Sequence, residues 1–158
     1  MRISSSPYNR IDSALSTLDS INFKANIDFK NSNPGNYYIE VSHRNSMSVW
    51  SSVPVYYSVC EKMSYDFTSA CNQTYGGLST SVNNKWCAYA GDVNSDCVID
   101  MYDVNLVFND ISLFTSGYSN SDLNGDNVLD LVDLNIALNN SNKFIQFITP
   151  WSTPVSIS

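Results

Sequence analysis

Two short segments of this chain carry a repeated row of oxygen-bearing side chains. Asp92, Asn94, Asp96, Asp100 and Asp103 recur thirty residues later as Asp122, Asn124, Asp126, Asp130 and Asp133. Counted from the first Asp, these are positions 1, 3, 5, 9 and 12 of a twelve-residue loop, and position 7 is Val98 or Val128. A hard dication such as Ca²⁺ takes six to eight oxygens at about 2.3–2.6 Å, and a loop that offers oxygens at positions 1, 3, 5, 7, 9 and 12 can wrap one. Position 7 contributes its backbone carbonyl, so the first predicted site is Asp92, Asn94, Asp96, Val98, Asp100 and Asp103. The second is Asp122, Asn124, Asp126, Val128, Asp130 and Asp133. Core packing selects apolar type and has no use for a duplicated row of Asp and Asn. Without metal, several carboxylates converge and repel. Two bound calcium ions are therefore expected.

The elements that must hold these loops are legible in part. Val104, Val107, Phe108 and Ile111 share one helical face after the first loop, and Leu131, Leu134 and Leu138 share one after the second. Asn109 and Asn139–Asn140 suit the C-terminal ends of those helices. Position 8 is apolar in both loops, Ile99 and Leu129, and is expected to tie the loops together through a core contact. Position 6 ordinarily needs Gly for a sharp turn, but here it is Cys97 and Asn127. Asn tolerates positive φ better than Cys does, so the first loop is expected to be strained or held by a disulfide from Cys97.

Upstream, the chain reads as β structure. Ile21, Phe23, Ala25, Ile27 and Phe29 alternate with polar residues, the period of a half-buried strand. Asn33-Pro34-Gly35 predicts a turn with positive φ at Gly35, and Tyr37–His43 a second strand. Further strands are predicted over Val49–Ser51, Val53–Cys60, Ser64–Thr68, Leu78–Val82 and Lys85–Ala90. Ser4–Tyr8 reads as a turn, while Ile11–Leu18 fits either an edge strand or a short helix. The spacing argues for a β-sandwich over 1–90. No linker separates it from Asp92, so the two parts are expected to pack as one rigid body. Phe144–Ile148 predicts a closing strand or clasp within 91–150. The tail, 151–158, is expected to be poorly ordered, with Trp151 pinned.

The bulk properties narrow the function class. The 158 residues are 43% hydrophobic, enough for a core. No run approaches the roughly 18 apolar residues of a membrane span. Eight of the 15 acidic residues lie in the two loops, and the remainder nearly balance eight Lys and Arg, which disfavours nucleic acid. Cys60, Cys71, Cys87 and Cys97 lack zinc spacing. Their even number in an Asn- and Ser-rich chain points to an extracellular or cell-surface setting, with two disulfides of open connectivity, or else to four buried thiols. An export setting without an export signal implies a mature fragment or a piece of a larger precursor. His43 is the single histidine and has no nucleophile motif beside it, so it reads as structural. No catalytic apparatus is recognisable, and no enzyme is expected.

Two departures from the ordinary EF-hand matter. Position 12 is Asp rather than Glu, and no entering helix is predicted before either loop. A duplicated loop plus exiting helix with Asp at position 12 resembles a dockerin over residues 91–140. Tyr37-Tyr-Ile-Glu-Val-Ser-His-Arg-Asn-Ser, Tyr65-Asp-Phe-Thr and the Gly91-Asp-Val-Asn start extend the likeness. They are similar to a family of secreted bacterial surface proteins in which an immunoglobulin- or transthyretin-like β-sandwich runs into a dockerin-like pair. The resemblance implies a mainly β fold with a small α part, and a sandwich that begins earlier than this chain does, with its leading strand lacking. It also implies a non-enzymatic module rigidified by two Ca²⁺ for self-assembly into a surface fibre or layer. The alternatives are a docking module that carries an enzyme to a cohesin scaffold, or a secreted carbohydrate-binding module. In dockerins, positions 10 and 11 face the partner; here they are Met101/Tyr102 and Leu131/Val132. Exposure of these four favours docking, and burial against the sandwich favours an internal brace. The missing linker leads us to expect the brace.

Overall fold

The computed structural model describes residues 1–5, 8–115 and 117–151. About 22% of the chain is strand and about 20% helix, so it is mixed rather than mainly β. Among the described residues the strands form three small antiparallel sheets. β1 (Arg2–Ile3), β2 (Gly35–Tyr38) and β5 (Val55–Tyr57) make one sheet, with β2 central. β3 (Glu40–His43) and β4 (Ser46–Trp50) pair alone, Val41 opposite Val49, with an irregularity between Val41 and His43. β6 (Thr80–Val82) and β7 (Lys85–Cys87) form a hairpin whose turn residues, Asn83 and Asn84, both have positive φ. Asn accepts that conformation and its twist matches the strands.

Several expected strands differ. Tyr37–His43 is divided at Ile39 into β2 and β3. Gly35 opens β2 and does not take the positive φ expected of it. Ser64–Thr68 is not a strand: the Asp66 carboxylate accepts from the backbone N–H and hydroxyl of Thr68 and closes a local turn. Ile11–Leu18 is neither strand nor helix. The clearest miss is Ile21–Phe29. Asp19 accepts hydrogen bonds from the N–H groups of Ile21 and Asn22, Phe23 takes a φ of 55°, and Ile21 is 83% exposed. Alternation marks a surface that fits a sheet, but a strand also needs a neighbour to take its backbone hydrogen bonds.

α1 (Met101–Ser112) and α2 (Leu131–Ser141) follow the two acidic loops. They pack through Val104, Val107 and Ala137, with Val93 beneath and Leu106, Ile111, Leu123 and Leu134 around them. Phe108, Leu131 and Leu138, expected on the inner faces, are exposed. Ala137 takes the inner position in α2, because a side chain without bulk lets the helices approach. Neither helix ends at its predicted Asn: the caps are Leu113 and Asn142. The Asn140 side chain instead donates to the carbonyl of Ala90.

A second core joins the β part to the first loop. Met47, Leu78 and Ile99 are buried together, flanked by Tyr89, Ile145 and Phe147. The predicted clasp is present: Val98 bridges Gln146, Ile99 N–H donates to Ile145 O, and Phe147 N–H donates to Cys97 O. Gly91 sits where the two parts meet. Its φ is +123°, and a Cβ there would lie 3.2 Å from the Ile99 side chain. Trp151 packs edge-on against buried Trp50 at 4.9 Å between ring centroids. The rest of the predicted tail, 152–158, lies outside the described residues.

Candidate metal loops and the helix-end surface

Each loop is closed by its last Asp. Asp103 is fully buried, and its Oδ1 accepts from the N–H of Val93 at 2.9 Å and of Asn94 at 3.3 Å. Its Oδ2 accepts from Asp100 N–H at 3.0 Å. Asp133, also fully buried, does the same with Leu123 at 2.8 Å, Asn124 at 3.1 Å and Asp130 at 3.0 Å. In both loops the side chain at position 9 caps the helix that follows: Asp100 accepts from Tyr102 N–H and Asp130 from Val132 N–H, each at 2.7 Å. One short carboxylate thus ties the start of the loop to the start of the helix, completing a capping box. The shorter Asp, in place of Glu, fits this close approach.

The remaining donors repeat as well. Asp96 N–H donates to Asn94 Oδ1 and Val98 N–H to Asp96 Oδ1; Asp126 and Val128 repeat both bonds. Asp92 and Asp122 are buried at position 1, where they accept from N–H groups further along their own loops. Burial, followed by the nearby charge of Asp103, pushes the Asp92 carboxyl above its ordinary range. Burial and a second carboxylate close by both disfavour the charged form. Positive φ occurs at positions 4 and 6 of both loops: Ser95 and Cys97, then Gly125 and Asn127. Cys97 does adopt the strained conformation.

The donor set is all oxygen, as calcium requires. In the first loop the clasp consumes the Cys97 carbonyl and the Ile99 N–H, both directed outward. Across the planar trans peptide the Val98 carbonyl is opposed to the Ile99 N–H, so it faces away from the clasp. These residues fit a hard cation. Among the described residues, no three or more His, Cys, Asp or Glu side chains are drawn together as a ready cage. Each carboxylate has at least one oxygen engaged with a backbone N–H, and Asp96 and Asp126 also accept from the amides of Asn94 and Asn124.

Three expectations change here. Ile99 and Leu129 do not tie the loops together: Ile99 is buried with Met47 and Leu78, whereas Leu129 lines a shallow groove of about 310 Å³ with Ile111, Phe114, Val128 and Leu131. All four cysteines are free and exposed, so they form neither disulfides nor buried thiols, and no bridge holds Cys97. Positions 10 and 11 are not packed as a brace. Met101 is 55% exposed, Tyr102 60%, Leu131 72% and Val132 52%. They sit in the first turns of the two helices, and Leu131 also lines the groove.

The residues that join the second loop to the β part do not stand out in the sequence. Asn45, buried in the β3–β4 turn, donates from Nδ2 to the Asp122 carbonyl at 2.7 Å. Arg44 Nη2 lies 3.8 Å from Asp122 Oδ2. The only signal is the adjacency of His43, Arg44 and Asn45, which the strand pattern absorbs. Compared with protein-family models, curated protein sequences and solved structures, the chain gives no match.

Proposed function

We propose that this chain is a non-enzymatic, extracellular module in which two calcium ions lock a duplicated loop–helix pair of dockerin type onto a sandwich-like β part. The carrying observation is that both loops repeat one hydrogen-bond scheme, with Asp103 and Asp133 in the same three-donor role. The bonds preshape the loops, and calcium would relieve the repulsion among the remaining carboxylates. If each loop binds at about 10 μM and outside calcium is millimolar, each ion adds about 2.7 kcal/mol.

Within that reading, the exposure of Met101, Tyr102, Leu131 and Val132 supports protein docking over an internal brace. The exposed apolar first turns, each following an acidic loop, with Leu131 continuing into the groove lined by Phe114 and Val128, suit a cohesin-like partner. Self-assembly is the second reading. It is favoured by β3, which among the described residues pairs on one edge only, and by the exposed Leu15, Leu18 and Ile21 upstream.

Calorimetric titration with CaCl₂ after chelation should give two binding events, and the melting temperature should rise with calcium. A protein that takes up no calcium and melts identically in chelator would overturn the reading. Docking predicts binding to a purified cohesin domain that Leu131→Asp and Tyr102→Asp abolish. Calcium-dependent polymers in sedimentation and electron microscopy would support self-assembly instead.

A further inference from the structure

We infer that Arg44 is a built-in counter-cation for the second loop, which sets that loop's calcium affinity and makes the two sites unequal. The inference rests on the calcium reading above and concerns how that site is tuned.

Arg44 stands in the tight β3–β4 turn and reaches across to the opening carboxylate of the second loop, with Nη2 3.8 Å from Asp122 Oδ2. Its side chain is 16% exposed and that of Asp122 2%. The guanidinium lies over the Tyr118 ring, 4.1 Å from the centroid, and Nε and Nη1 are buried without a hydrogen-bond partner among the described residues. A buried, under-satisfied guanidinium is costly unless its charge is compensated, and Asp122 provides the compensation. The adjacent Asn45 fixes the position, since its amide holds the Asp122 carbonyl and its own carbonyl accepts from Gly91 N–H.

The first loop lacks this arrangement. Among the described residues the ion pairs are Arg2–Glu40 and Arg44–Asp122, so no basic side chain pairs with Asp92. A resident positive charge beside a metal ligand acts in two ways. It relieves carboxylate repulsion in the ion-free loop, and it repels the arriving dication. Both effects reduce what calcium gains at the second loop.

The test uses the full chain, with calcium binding followed by NMR at the Ser95 amide for the first loop and the Gly125 amide for the second. Gly125 N–H donates to Asp122 Oδ1 and so reports on that carboxylate. Arg44→Gln should tighten the second site about tenfold, the scale expected for losing one nearby charge. The first site should stay within about twofold. The same variant should melt lower than the parent in chelator. Arg44→Lys keeps the charge and should leave the second site within about threefold. Tyr118→Leu removes an exposed ring that holds the guanidinium. It should loosen the counter-cation and shift the second site in the same direction by about threefold, even if Arg44→Gln fails to fold. An unchanged or weakened second site in both Arg44→Gln and Tyr118→Leu, or equal changes at both sites, overturns the inference and leaves the calcium reading standing. Absence of binding at both loops in the parent protein overturns both.

Discussion

The two acidic loops share their internal wiring and differ in what surrounds them. At the first, backbone groups of 97–99 pair with the clasp and drive Ile99 into the core shared with Met47 and Leu78. At the second, the matching positions border a shallow groove, and a distant hairpin turn holds the opening Asp122 through Arg44 and Asn45. Duplicated sequence has therefore yielded one loop built into the core and one left beside an open surface. The difference is set by partners outside the repeat. It separates effects that should be common to both loops from those that should not.

The largest common effect is expected at position 12. Asp103→Ala or Asp133→Ala strands three backbone N–H donors that a buried carboxylate now satisfies. An orphaned buried donor costs about 1–3 kcal/mol, and since all but the Val93 N–H are only partly buried, water recovers part of that. A loss of about 3–5 kcal/mol is expected for either variant in chelator, measured by urea unfolding. A loss at one loop only would break the equivalence of the two schemes.

The next effect should divide the loops. Ile99→Ala empties a fully buried position and should cost about 2–5 kcal/mol. Leu129→Ala, at a half-buried groove position, should cost about 1 kcal/mol or less. Equal losses in thermal melts would mean that the second loop is as deeply embedded as the first.

Cys97 gives a smaller contrast of opposite sign. It holds a φ of 73° at position 6, where Asn127 holds 66°. Left-handed backbone costs an ordinary L-residue about 1–2 kcal/mol, and Asn much less. Cys97→Gly should stabilise the ion-free protein by about 1 kcal/mol, while Asn127→Gly should change it by only a few tenths. Because the thiol is free and exposed, the gain should be the same with and without reductant. A gain that vanishes in reductant would show that the thiol was oxidised in the starting material.

The shape of each loop was legible in the sequence because the hydrogen bonds among its own twelve residues are local, none reaching further than the bond from Val93 to Asp103 or from Leu123 to Asp133. The two helices were legible for the same reason, and their inner faces in part: Val104, Val107, Ile111 and Leu134 pack as expected, whereas Ala137 gives no hydrophobic signal. What could not be read depends on distant partners. Ile21–Phe29 alternates correctly, yet lacks a neighbouring strand among the described residues. Asn45 meets Asp122 across 77 residues, a pairing that no periodicity encodes. The exposure of Met101 and Leu131 was equally hidden, because an apolar residue in a first helical turn has the same letter whether it faces a core or a partner.

Those apolar first turns provide the smallest stability effect. Tyr102→Ser and Val132→Ser remove exposed side chains that leave the helix-capping N–H groups untouched. Their backbone donors still reach Asp100 and Asp130, and little buried area is lost. Each should therefore shift unfolding free energy by no more than about 0.5 kcal/mol, with calcium affinity unchanged. A brace would behave differently, because burying the same side chains against the β part would make each truncation cost about 2 kcal/mol. Paired melts of the two variants, with calcium and in chelator, thus test whether Tyr102 and Val132 serve the interior or a partner. A loss near the higher figure would withdraw the docking surface, and a silent result would leave the face free to be occupied.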